Sequence, residues 1–204
     1  MSIVSTLDEL EKIYGQPGST SLVKEIAHIS SNYRAIIEAS PFAALATVGP
    51  EGMDCSPRGD RAGQLVRIED ETTIIMPDRR GNNRIDSLRN IVRDPRVALM
   101  FLIPGSGNAL RINGSALIDV SPDLLNSFAV DGKAPRSVIV ISVTAIYFQC
   151  ARAIVRSGLW DPVLHVDPKM LPSAGQILAD LSNNVEGGPD YDAGWAERAN
   201  KTMW

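Results

Sequence analysis

The stretches RVALMFLIPG and NALRINGSALIDV, residues 96–105 and 108–120, are two strand-type runs with only a Gly-Ser-Gly turn between them. The second alternates: Leu110, Ile112, Ala116, Ile118 and Val120 fall on one side, Arg111, Asn113, Ser115 and Asp119 on the other. That period of two marks a strand with one face on a core. The first run is apolar without interruption, as in a strand buried on both faces or set in a barrel wall. Parallel neighbours need a long crossover, so strands joined by a tight turn are antiparallel. This constraint excludes a βαβ array for the centre of the chain.

The surrounding sequence repeats the arrangement. FAALATVGPEGMDCSPRGD reads as a strand, a turn at Gly49-Pro50-Glu51-Gly52 and a second strand. QLVRIED and TTIIMP follow as short strands around a charged turn. SVIVISVTAIYFQCARAIVRS supplies one long bent strand or two in succession. Helices are interposed at RIDSLRNIVRDP, with Ile85, Leu88, Ile91 and Val92 on one face, and at SPDLLNSF, where Ser-Pro forms a cap and first turn. The expected fold is mainly β with helical additions, an α+β chain built on a small antiparallel barrel.

Helical patterns flank this centre. Thr6 and Glu9 have capping-box spacing, and Leu7, Leu10, Ile13 and Tyr14 recur at helical intervals. SLVKEIAHISSNYRAIIEAS is expected to form one helix carrying Leu22, Ile26, Ile29, Tyr33, Ile36 and Ile37 as a stripe. A last helical patch lies at SAGQILADL. The 204 residues thus read as one domain, with N-terminal helices over 1–40, a barrel over 41–162 and a helical tail over 163–204.

Charge and composition narrow the function. With 20 basic and 24 acidic residues the net charge is −4, which argues against a nucleic-acid binder. The N-terminus carries acids early and no apolar core of a secretory signal, and no run has the length of a membrane span, so a cytoplasmic location is expected. Cys55 and Cys150 are too few for a disulfide framework and read as reduced thiols, small buried hydrophobes and not nucleophiles. His28 and His165, the only histidines, lie in no zinc-like cluster, so no metal site is expected.

Three segments are candidates for chemistry. MPDRRGNNRIDSLRN sets Arg79, Arg80 and Arg84, with Asn82 and Asn83, at a strand-to-helix junction. Guanidinium forks and helix N-terminal amides together suit a phosphate monoester, the alternative being a solvated basic loop. Asp60, Asp78 and Asp86 read as charge balance for these arginines, not as an acid-base pair. In DCSPRGD, Pro57 removes a ladder donor, which places its strand at an edge or a break, and Gly59 permits close approach of a flat ligand. In CARAIVRSGLWDP, Arg152 and Arg156 share a face if the segment is extended, and Trp160 could wall an aromatic ligand or sit in an interface.

In this order the segments resemble the pyridoxamine 5'-phosphate oxidase-like family of FMN-binding split barrels, from about Pro41 to Pro162. The similarity rests chiefly on TTIIMPDRRGNNRIDSLRNIVRDPRVALMFLIPG followed by ALRINGSA, with CSPRGD before it and CARAIVRSGLWDP after it. It implies a homodimer with FMN at the subunit interface. It implies phosphate contacts from Asn83 and Arg84, helped by Arg80 and Asn82. Pro77 and Asp78 would border the flavin, and Ser56, Pro57, Arg58 and Gly59 would face its ring. Arg111 and Asn113 would lie near the cofactor, with Arg156, Ser157 and Trp160 contributed by the other subunit. The sequence departs from the true oxidase: the tail AERANKTMW has no histidine where the oxidase has an Arg-x-His element, and Ala109 stands near a glutamine position. The implied activity is therefore an FMN-dependent oxidoreduction of an unknown small molecule. A flavin-binding sensor or store, or a deazaflavin-dependent reductase, is the alternative on the same barrel.

Overall fold

The computed structural model describes residues 2–203. Seven strands form one antiparallel sheet: β1 Phe42–Gly49, β2 Gly52–Gly59, β3 Arg67–Ile68, β4 Thr73–Pro77, β5 Arg96–Leu102, β6 Ala109–Asp119 and β7 Val138–Gln149, in the order β2-β1-β5-β6-β7-β4-β3. Helices α1 Leu7–Tyr14, α2 Ser19–Val23 and α3 Ser31–Ala39 precede the sheet. Helix α4 Asp86–Arg93 joins β4 to β5, and α5 Pro122–Asn126 joins β6 to β7. After β7 come α6 Arg152–Ser157, α7 Ala174–Leu181, α8 Pro189–Ala193 and α9 Trp195–Thr202.

The sheet is not closed by hydrogen bonds, yet it curls far enough that its first strand approaches its sixth. Side chains of β2 and the residue after β4 are in direct contact, as Arg58 and Asp78 show. This is the open seam of a split barrel. The inner face carries one core cluster, with Leu45 from β1, Phe101 from β5, Ile112 from β6, Ile141 from β7, Met76 from β4 and Ile91 from α4. Alternation places these residues on one side of each strand, and their removal from water drives the curl.

Strand β7 is a single long strand, and it pairs with β6 across an irregularity between Asn113 and Gly114. A Cβ on Gly114 would collide with the carbonyl oxygen of Ser142. The local register change therefore depends on a residue without a side chain.

Several sequence expectations are corrected. The helix over 21–40 is broken, because Ile26 leaves it to form a bridge with Ile146, its N–H at 3.1 Å and its carbonyl at 2.8 Å. Ser30 then caps α3 by accepting from the Tyr33 amide at 3.3 Å. Tertiary pairing has overridden local periodicity. Residues 152–157 are helical, not extended, and end on Gly158 in a left-handed conformation. Cys55 and Cys150 are free and exposed, not buried. Cys55 lies on the outer side of the edge strand, and Cys150 lies just past the end of β7. Val120 and Val92 are likewise exposed, the first beyond the end of β6 and the second off the buried side of α4. Among the described residues no helix is long and apolar enough to cross a membrane.

Candidate functional site

Strand β2 presents Asp54, Ser56 and Arg58 to the seam, while Cys55 faces outward and Pro57 and Gly59, also exposed, lie along the seam's rim. Pro57 is tolerated because β2 is an edge strand with a partner on one side only. Opposite lies the polar junction between β4 and α4. Two adjoining clefts, of about 210 Å³ and 450 Å³, fill the seam and share Ser56, Arg58, Arg79, Gly81 and Asn82. The smaller runs under the junction to Asn83, Arg84 and Asp86. The larger is walled by Pro57, Gly59, Leu65, Met76 and Pro77, with Arg80 at its edge.

Two ion pairs cross the seam in opposite senses. Arg58 Nη1 donates to Asp78 Oδ1 at 2.7 Å, and Arg79 Nε donates to Asp60 Oδ2 at 2.8 Å. Both pairs are largely withdrawn from water, at 18–21% side-chain exposure. Arg79 also donates to the Phe128 carbonyl at 2.8 Å. Arg58 is not satisfied by its partner: its Nε is buried and lacks a hydrogen-bond acceptor. A buried orphan donor is costly. Here it belongs to a side chain that lines both clefts.

The arginines of the junction are thus in three different situations. Arg79 is held by Asp60. Arg84 is 76% exposed and pairs with Asp86 at 2.8 Å, whose hydrogen bond and charge raise the pKa of its guanidinium. Arg80 stands at the larger cleft, with no ion pair among the described residues. Asp60 and Asp86 balance Arg79 and Arg84 as expected, whereas Asp78 pairs with Arg58 on β2 and not with an arginine of the junction. The loop itself is unusual. Asn83 (φ 60°) and Ile85 (φ 54°) are left-handed, and a β-branched residue in that region is a strained exception. Asn82 Oδ1 accepts from the Arg84 amide at 3.1 Å, and Arg136 reaches Asn83 Oδ1 at 3.3 Å. The junction is pinned by its own Asn82 and, from outside it, by Arg136.

A chain of hydroxyls lies beneath it. Buried Ser87 donates to Asp54 Oδ2 at 2.9 Å, and Ser56 Oγ is 3.0 Å from Ser87 Oγ. With Ser87 Oγ–H committed to Asp54, Ser56 is the donor of the second bond, and its lone pairs remain for the cleft. Sequence reasoning did not single out Asp54 or Ser87. The alternation on β2 could have placed Asp54 beside Ser56, but the contact with Ser87 spans 31 residues from Ser56.

Ten sequence candidates therefore converge on one seam: Ser56, Pro57, Arg58, Gly59, Pro77, Asp78, Arg80, Asn82, Asn83 and Arg84. Five do not line these clefts within the chain: Arg111 and Asn113 on β6, and Arg156, Ser157 and Trp160 beyond β7. Arg111 stacks on the Tyr147 ring at 5.2 Å, on the sheet face away from the core. Arg156 and Ser157 lie on α6, and Trp160 Nε1 donates to the Ser106 carbonyl at 2.7 Å, fastening that end to the β5–β6 turn.

Against known proteins, residues 29–150 match the family model described as pyridoxamine 5'-phosphate oxidase. Among solved structures, HupZ from Group A Streptococcus is 20% identical, with 58% of this chain and 91% of that chain covered at a TM-score of 0.47. The General Stress Protein 26 from Bacillus anthracis is 19% identical, with 56% and 88% covered at a TM-score of 0.42. No curated protein matches significantly.

Proposed function

Because this chain belongs to the pyridoxamine 5'-phosphate oxidase family, whose fold is of a flavin-binding type, we propose that it is an FMN-binding flavoprotein and an oxidoreductase acting on a small molecule. The observation that carries the reading is the buried, acceptor-less Nε of Arg58, on a side chain lining two adjoining clefts. A small turn of the Arg58 side chain toward the larger cleft, which it lines, would release that donor to an anionic or carbonyl-bearing ring there. The smaller cleft, ringed by Asn82, Asn83 and Arg84, suits the phosphate that such a cofactor carries.

When bound, FMN would supply a hydride acceptor at its N5 position. The chain's own part is binding and electrostatics. Asp78 holds the Arg58 guanidinium at the seam, where its charge would favour an anionic reduced ring. Leu65, Met76 and Pro77 give the larger cleft an apolar wall that excludes water on one side. Asn83 and Arg84 would hold the phosphate, with Arg80 and Asn82 assisting. We read the working form as a homodimer in which Arg111, Arg156, Ser157 and Trp160 approach the cofactor from the second copy. A cytoplasmic site of action accords with this chemistry.

A second reading rests on one observation: the polar side chains of the seam are mostly committed to one another, Ser87 to Asp54 and Asp78 to Arg58. A site without a free acid or base suits a flavin sensor or store. The test begins with colour. Protein purified without added cofactor is expected to be yellow, and the released pigment to have the mass of FMN. A colourless preparation that binds no added FMN overturns the proposal, and a deazaflavin pigment replaces the cofactor. Bleaching by NAD(P)H with multiple turnovers supports the oxidoreductase; a pigment that no reductant cycles leaves the sensor.

A further inference from the structure

The chain exposes 13757 Å² of surface for a mass of 22.0 kDa. A compact monomer of that mass exposes about 9,300 Å². The excess, about 4,400 Å² on one chain, is well above the roughly 600 Å² per partner of a small transient interface.

Helix α1 has a complete capping box, Thr6 with Glu9, and is therefore a helix with a defined start. Its apolar residues Leu7, Leu10, Ile13 and Tyr14 are all exposed, and no residue of the helix is buried. An isolated helix of eight residues is marginal in water, so this stripe needs a covering surface. The segment after β7 shows the same property: Val163, Leu164, Val166 and Met170 are each more than 60% exposed. The chain also carries a surface suited to receive such arms. On the outer face of β1 and β5, small residues Ala44, Ala46 and Ala98 lie beside Met53 and Met100, which are 83% and 41% exposed. Apolar helix stripes and a flat small-residue sheet face are complementary, and both belong to this one sequence. Two copies related by a twofold axis satisfy both at once.

We propose that α1 and the segment over 162–171 are clasp arms that bury their apolar residues on a second copy of this chain. The inference rests on the two-copy reading above but on nothing about the flavin. Its occupant is self because the exposed area is too large for a transient partner, and because the receiving face is supplied by the same molecule.

Hydrogen exchange and sedimentation of the full chain test it. In the unmodified protein, amides of residues 10–14 should exchange at least ten times more slowly than in an unstructured peptide, and the protection should fall on dilution together with the dimer. Leu10→Glu with Ile13→Glu should weaken dimerisation at least tenfold while the barrel melts as before, since both side chains are exposed within the protomer. A chain that sediments as a monomer at all concentrations overturns the clasp and the two-copy reading together. A dimer whose α1 amides exchange freely overturns the clasp alone. A monomer with protected α1 amides overturns it as well, because the stripe is then covered from within. Flavin content is read separately from the absorbance of the same samples.

Discussion

Arg58 on β2 and Asp78 just past β4 meet at 2.7 Å across a seam that no backbone hydrogen bond closes. The reciprocal pair, Arg79 with Asp60, lies beside it at 2.8 Å. Together they tie the edge strand to the far side of the sheet and leave Arg58 with one unsatisfied donor. The shape of the candidate site depends on this pair of crossings.

Removing one partner should expose that dependence. Asp78→Ala leaves the Arg58 guanidinium largely buried without its counter-charge, at a cost of about 1–3 kcal/mol. For a chain of this length that is about 2–4 °C in Tm for each kcal/mol. Asp78→Asn keeps an acceptor and should lose less. Thermal melts of the two variants, compared with Arg58→Met, check the order. Equal stability in all of them would show that the seam is held elsewhere.

Arg84 tests the phosphate assignment with little interference from folding. Its ion pair with Asp86 is exposed, and such pairs contribute little to stability. Arg84→Ala should therefore leave the urea midpoint nearly unchanged. It should raise the Kd for FMN by roughly tenfold to 150-fold, the equivalent of a charge-assisted contact of about 1.5–3 kcal/mol. Fluorescence quenching on titration of free FMN measures it.

Gly114 tests the pairing of β6 with β7. Gly114→Ala forces a methyl group into the Ser142 carbonyl, and the strained repacking should cost about 1–3 kcal/mol. Urea denaturation should show a lowered midpoint with an unchanged slope. Gly81 offers the contrast, since nothing lies within 4 Å of a Cβ there and Gly81→Ala should be mild.

The C-terminal helices should respond to acid. Asp192 accepts from Ser173 Oγ at 2.5 Å and from the Gly175 amide at 2.8 Å, fastening the start of α7. These hydrogen bonds, the Ser173 hydroxyl foremost, lower its pKa from 3.8. A carboxylate whose folded-state pKa is depressed stabilises fully above its unfolded value and loses that contribution as pH falls through the folded one. Amide protection in α7 should therefore persist above 3.8 and decline as pH drops below it. In Asp192→Asn the protection should be weaker at neutral pH and flatter in this window.

Much of the fold was legible from local patterns. The period of two in residues 108–120 located β6, the Thr6–Glu9 spacing located the start of α1, and Pro57 limited β2 to an edge or a break, of which the sheet shows the edge. These properties depend on neighbours within a few residues. The misses have the opposite character. Helical spacing from Leu22 to Ile37 was real, yet the bridge from Ile26 to Ile146 spans 120 residues and broke the helix. Cys55 resembled a core residue in composition, but its direction is set by which face of an edge strand meets the core.

The same division runs through the candidate site. Residue types and spacing alone determined that a basic, asparagine-rich junction would follow a buried strand and enter a helix, because strand and helix signals are local. They also determined that its acids would serve as counter-charges. Only the folded sheet decided which acid meets which arginine, that Arg58 belongs with Asp78 across 20 residues, and that Ser87 and Asp54 join the site. Those partners are brought together by the curl of the sheet around its core. That curl arises from the collective burial of side chains on all its strands, and no short window of sequence contains it.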